Sequence, residues 1–248
     1  MEIIQITDLH ITDDIENIKN NCRPYHTLSK TLEHIKENFN NINDIVITGD
    51  LSNDYTIKTY INIKKLLKRY KFNVYLLPGN HDESKLIKLL CDDQISIDCI
   101  DLSKFKIMVY NFDTHLPGKV HGYLKESEIK QFEKIISANL DLDNIIVFTH
   151  HPIIKISSKW IDKHKCANSE LLIDTMLSHK SKKFKIFSGH VHQEFNYTNN
   201  NIEFFTTPST CYQFRPNSEN FALDSNLSYG YRVISFHDNI ISTKVLRI

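Results

Sequence analysis

Five short stretches of this chain carry side chains suited to holding a metal ion: Asp8-Leu9-His10, Gly49-Asp50, Gly79-Asn80-His81-Asp82, His150-His151-Pro152 and Gly189-His190-Val191-His192. Each is weak evidence alone. Asp8 could end a strand or cap a helix, Gly49-Asp50 reads equally well as a turn, and a single histidine is usually a satisfied polar side chain. The third stretch says more, because a turn that needs glycine gathers an amide, an imidazole and a carboxylate in one place. Taken together, the stretches offer carboxylate and amide oxygens and imidazole nitrogens without thiolates. That donor set suits manganese, iron or zinc better than copper(I), and calcium would ask for more oxygens.

The elements that must position these residues are legible in the hydrophobic pattern. Runs at 3–6, 45–47, 74–77, 145–148 and 186–187 are short, apolar and largely β-branched, and each stops where one polar stretch starts, as a buried strand does at a sheet edge. Helical spacing marks 28–39, 57–70, 126–140 and 169–179, so the order is βαβα and the sheet is expected to be largely parallel. Ligands of such sheets sit outside the carboxyl ends of the strands, where all the polar stretches fall. His26, His34, His164 and His237 lie instead in helical or loop contexts. Towards the C-terminus, 194–197 with 202–205 and 229–236 with 240–246 read as β-hairpins, the latter around His237-Asp238-Asn239. They add antiparallel strands, or a second sheet packed on the first. The Asn-rich stretch 196–201 reads as a solvated turn.

Composition narrows the function. A chain of 248 residues supports one domain over 1–248. Lys+Arg and Asp+Glu both number 30, a net charge of zero that disfavours nucleic acid as a partner. Cys22, Cys91, Cys99, Cys166 and Cys211 are odd in number and scattered, which argues against a disulfide framework or zinc knuckle and for reduced thiols. No run approaches the 18 apolar residues of a membrane span, so no membrane partner and a cytoplasmic location are expected.

In their order, from Asp8 to His192, the five stretches resemble the motif series of the calcineurin-like metallophosphoesterases, with no motif residue missing. Further stretches at 117–122, 158–162 followed by Asn168, and 207–214 resemble the class III 3′,5′-cyclic AMP phosphodiesterases, so the resemblance covers nearly the whole chain. It implies a four-layer α-β-β-α sandwich of two packed mixed β-sheets flanked by helices. It also implies two divalent or mixed-valence ions per chain, iron and manganese before zinc. Asp8, His10, Asp50 and His192 would hold the first ion, and Asp50, Asn80, His150 and His190 the second, with Asp50 bridging. His150 is preferred to His151 because the family's ligand stands two residues before the proline, and His151 would support it. Substrate would meet His10, Asp50, Asn80, His81 and His192.

Two ions about 3.5–4 Å apart place positive charge beside the phosphoryl oxygens and lower the pKa of a water. His81, next to Asn80 but not itself a ligand, is the candidate to protonate the leaving oxygen. Asp82 either orients a histidine or caps a helix starting near Glu83. Asn53 and Asp54 read as turn residues. Trp160 packs beside the pocket, in the core or in a dimer interface, which leaves a homodimer open. The expected reaction is hydrolysis of cyclic AMP, a small nucleotide, to 5′-AMP. Alternatives are another small phosphodiester, a 2′,3′-cyclic nucleotide, a phosphomonoester, or a non-catalytic scaffold on the same fold.

Overall fold

The structure, a computed structural model, describes residues 1–237 and 240–248. The apolar runs and helical segments become β1 (Glu2–Ile6), α1 (Pro24–Asn38), β2 (Asp44–Thr48), α2 (Ile57–Leu67), β3 (Asn73–Leu77), α3 (Ser84–Lys88) and β4 (Ile95–Ser96). Then come β5 (Ile107–Asn111), α4 (Glu126–Ala138), β6 (Asn144–Thr149), α5 (Lys159–Asp162), α6 (Ser169–Ser178) and β7 (Lys183–Ser188). The chain finishes with β8 (Phe195–Asn199), β9 (Ile202–Thr206), β10 (Gly230–His237) and β11 (Ile240–Arg247). Helix α1 starts earlier than its apolar spacing suggests because Pro24, with no N–H to satisfy, is well placed in a first turn.

The parallel strands do not share one sheet, as the βαβα order had suggested. They divide between a six-stranded sheet, β11-β10-β1-β2-β3-β4, and a five-stranded sheet, β5-β6-β7-β9-β8. Each C-terminal hairpin joins a different sheet, so neither builds a sheet by itself. Strand β10 lies antiparallel to β1, with Ile3 opposite Ile234, whereas β9 runs parallel to β7 and antiparallel to β8. Asp238 and Asn239 of the second expected turn lie outside the described residues.

Strand alternation sorts the apolar side chains into three layers of core. Ile45 and Ile47 pack with Leu28, Leu32 and Ile63 of α1 and α2, and Ile145 and Val147 pack with Phe132 of α4 and Leu172 of α6. Val46, Ile146, Phe148 and Phe187 fill the space between the sheets together with Ile3 and Ile234. The result is the four-layer α-β-β-α sandwich. Because both sheets are covered on both faces, the free backbone at the ends of β1, β2, β3, β6 and β7 becomes the natural place for polar residues.

Candidate metal centre

Past those strand ends the chain turns sharply, and the residues that make the turns also carry the polar groups. Asp8, His10, Asp50, His190 and His192 all have φ between 46° and 67°, a left-handed conformation costing about 1–3 kcal/mol per ordinary residue. Neighbouring turns hold them there: Asp8 N–H donates to Gly49 O and His10 N–H to Asp50 O, both at 3.0 Å, and His190 N–H donates to Asp8 Oδ2 at 2.9 Å. Glycine allows the approach. A Cβ on Gly79 would lie 2.8 Å from His150 Cε1 and strike Asp50, and one on Gly189 would lie 2.8 Å from Asp8 Oδ2.

The side chains converge in four overlapping groups: Asp8–His10–His192, Asp8–Asp50–His150, His10–Asp50–His81 and His150–His151–His190, with ligand atoms within 4.8 Å of one another in each. Asp50 sits between neighbours, Oδ1 being 3.3 Å from His150 Nε2 and Oδ2 3.7 Å from His10 Nε2. Asn80 Oδ1 is 3.2 Å from His150 Nε2, and Asp8 Oδ1 is 3.3 Å from His192 Nε2. His10 Nε2 and His192 Nε2 face each other at 3.0 Å.

Carbonyl groups decide which nitrogen faces inward. A carbonyl can only accept, so His150 Nδ1–H donates to Thr48 O at 2.7 Å and His192 Nδ1–H donates to Tyr212 O at 2.9 Å. Each imidazole then turns the lone pair of Nε2 towards the cluster. His151 differs. Its Nε2–H donates to Val120 O at 3.1 Å and its Nδ1 accepts from the Thr114 hydroxyl at 2.9 Å, which leaves the neutral ring no lone pair for an ion. Its ring instead packs against those of His150 and His190, with centroids 4.8 and 4.7 Å away.

The electrostatics are those of a site built for cations. Burial pushes His10, His150 and His190 below the ordinary imidazole range, so they are neutral and keep a lone pair. Burial also drives the Asp50 carboxyl up to about 7, with the Asp8 charge adding to it. His10 Nδ1 and His190 Nε2 are buried without a hydrogen-bond partner. An excess of buried lone pairs facing one another is unfavourable until a cation neutralises it, and the nitrogen, carboxylate and amide donors present fit transition-metal ions.

Asp82 fills neither role expected of it. It accepts from Gly79 N–H at 2.9 Å, Leu51 N–H at 3.1 Å, Ser52 N–H at 3.2 Å and Tyr60 O–H at 3.0 Å, while Glu83 takes the N-cap of α3. Asp82 therefore ties the turn carrying Asn80 and His81 to the one following Asp50. The His81 N–H donates to Asp50 Oδ1 at 2.8 Å. Its half-buried ring lies edge-on to His10 at 5.1 Å and stacks on the exposed Tyr55 at 6.3 Å, at the mouth of the cluster.

Several contributors lie outside the five metal-compatible stretches. The 207–214 segment braces the cluster: Ser209 Oγ–H donates to Asp8 O at 2.7 Å, Tyr212 stacks on His10 at 5.5 Å, and Phe214 stacks on His192 at 4.2 Å. Trp160 meets Phe214 edge-on at 4.9 Å and so lies one layer behind. Lys19 hydrogen-bonds Asn53, and its Nζ is 5.9 Å from the Tyr212 ring centroid. A lone lysine in a loop carries no sequence signal of such a position.

Residues 1–194 match the calcineurin-like phosphoesterase family. The chain is 29% identical over its whole length to the 3′,5′-cyclic adenosine monophosphate phosphodiesterase CpdA of Haemophilus influenzae, covering 90% of that protein. It is 28% identical to a 3′,5′-cyclic-nucleotide phosphodiesterase of Nostoc, covering 100% of this chain and 92% of the relative. Among solved structures, a dimetal phosphatase from Danio rerio superposes with a TM-score of 0.65 at 13% identity over 100% and 98% of the two chains. The Plasmodium inner-membrane-complex anchor GAP50 superposes with a TM-score of 0.61 at 12% identity, over 100% and 84%. Likeness at that identity speaks for the fold alone, whereas the match over 1–194 decides the family: this chain belongs to the calcineurin-like phosphoesterases.

Proposed function

We propose that the chain hydrolyses 3′,5′-cyclic AMP to 5′-AMP at a dinuclear centre, with Asp8, His10, Asp50 and His192 around one ion and Asp50, Asn80, His150 and His190 around the other. The observation that carries this reading is the placing of Asp50, one carboxylate oxygen towards His150 and the other towards His10. The substrate follows from the activities named for the relatives in Haemophilus and Nostoc, which align along the whole chain. When bound, the two ions supply positive charge for the phosphoryl oxygens and make a water nucleophilic near neutral pH.

The protein's own groups do the rest. His10, Asp50, Asn80, His81 and His192 surround the place of the phosphoryl group. Burial holds the His81 imidazole below its ordinary range in the free chain, against the pull of Asp50, and a phosphodiester anion beside the ring favours its protonation. His81 then delivers that proton to the departing 3′ oxygen. Strands β10 and β11, beyond residue 194, complete the sheet containing β1, which supports a single domain over 1–248.

Product chromatography tests the proposal. After chelation, added manganese or iron is expected to restore turnover of cyclic AMP to 5′-AMP rather than 3′-AMP, with 2′,3′-cyclic AMP assayed in parallel. Cleavage of a chromogenic diester without any 5′-AMP would sink the cyclic AMP assignment and leave a phosphoesterase of another specificity.

A further inference from the structure

Cys22 belongs to no motif and Cys211 only to the 207–214 stretch, far away in the sequence, yet the fold brings them together. Their sulfur atoms are 2.8 Å apart across a separation of 189 residues, with the Cys211 S–H donating to Cys22 Sγ. Both are held in place by the backbone. Lys19 and Cys22 exchange backbone hydrogen bonds of 2.8 and 2.9 Å around Asn20 and Asn21, which stand at φ 50° and 60°, a tight turn of the kind that suits asparagine. Cys211 N–H donates to Ser209 Oγ at 2.8 Å. Cys211 is buried and Cys22 half-buried. A cleft of about 440 Å³ reaches the pair, lined also by Arg23, Lys30, Tyr212 and Tyr229.

We propose that Cys22 and Cys211 are an oxidative modification site, joined by hydrogen peroxide into a reversible disulfide that ties the turn before α1 to the segment bracing His10 and His192. The hydrogen bond from Cys211 holds the Cys22 thiol below its usual range against the effect of burial, and burial keeps the proton on Cys211. Cys22 is thus the attacking sulfur. Its thiolate attacks one peroxide oxygen, the O–O bond breaks, and the departing hydroxide takes up the proton that Cys22 had released and leaves as water. Cys22 is then a sulfenic acid. Cys211 Sγ attacks that sulfur, the S–S bond forms as the S–O bond breaks, and the second hydroxide leaves as water with the Cys211 proton. Two thiols lose two electrons, and one peroxide becomes two waters.

Expose the full-length chain to hydrogen peroxide, alkylate the remaining thiols, and map the peptides by mass, with a sample reduced by dithiothreitol as control. The expected result is a Cys22–Cys211 cross-linked peptide that dithiothreitol removes, with Cys91, Cys99 and Cys166 still alkylated. Closing so long a loop should also raise Tm by on the order of 5–10 °C in the oxidised chain. Cys22→Ser should abolish both the cross-link and the shift, while Cys99→Ser keeps both. Full alkylation of Cys22 and Cys211 after peroxide, Cys22 recovered only as a higher acid, or Cys22 joined to another cysteine would overturn the proposal.

Discussion

The two sheets supply different halves of the candidate metal centre. Turns of the six-stranded sheet carry every carboxylate and the amide, Asp8, Asp50, Asn80 and Asp82, together with His10 and His81. Turns of the five-stranded sheet carry imidazoles alone: His150, His151, His190 and His192. One half therefore sets the charge of the site and the other mostly directs lone pairs. The halves depend on each other, because His150 is aimed by the carbonyl of Thr48 and His190 is fixed through its N–H by Asp8. A cluster built this way forms only when both sheets are packed, which ties the chemistry to the complete fold.

The sharpest way to break this comparison is to remove one group from each half. Asp50→Ala is expected to abolish nearly all activity and release at least one ion per chain, since the carboxylate belongs to two of the four overlapping ligand groups. His150→Ala should lose no more than one. Elemental analysis alongside turnover decides it, and an Asp50→Ala protein with both ions and normal rate would show that Asp50 does not bridge. His81→Ala should come next in size, keeping its ions while losing roughly 10²–10⁴-fold in rate. That loss should shrink for a nitrophenolate leaving group, which hardly needs a proton; an equal loss on both kinds of substrate argues against the acid role.

Asp82→Asn tests whether the first half also needs its internal brace. Replacing a buried acceptor of three backbone N–H groups should cost about 2 kcal/mol, read as a Tm lower by roughly 4–8 °C. No change in Tm would mean that the two turns hold themselves. The smallest effect is expected far from both halves, at Asp92, which pairs with Lys68 at 2.9 Å and Lys64 at 3.0 Å. Asp92→Asn should leave ions and turnover unchanged and cost at most about 1 kcal/mol. Lys68 and the neighbouring backbone donors hold the Asp92 carboxyl below its ordinary range, so its contribution is present above about pH 4 and lost as the pH falls further. A difference in Tm that persisted unchanged at pH 2–3 would contradict that assignment.

Much of this was legible because side-chain type and spacing carry it. Apolar runs of β-branched residues announced β1, β2, β3, β6 and β7, and the polar residues that end them announced the cluster. Strand β4 escaped because it spans only two residues, and β5, an edge strand with a mostly half-buried pattern, has no sharp apolar alternation. The reading of Asp82 failed for a similar reason. Its partners are three backbone N–H groups, which every residue except proline possesses, and the hydroxyl of Tyr60, 22 positions away, so nothing in the neighbouring letters marks them.

What the sequence determined by itself was the ordered set of metal-compatible residues at strand ends, since chemistry and period are properties of the residues. Only the tertiary structure decided which sheet each strand joins, which imidazole nitrogen faces the cluster, that His151 is fully engaged by Thr114 and Val120, and that Cys22 meets Cys211. Period two tells a strand which of its faces is buried but not which strand lies beside it, and carbonyl positions depend on the path of the whole backbone. Those facts arise from long-range packing, where the partner of a residue lies a hundred or more positions away, as Thr48 does from His150.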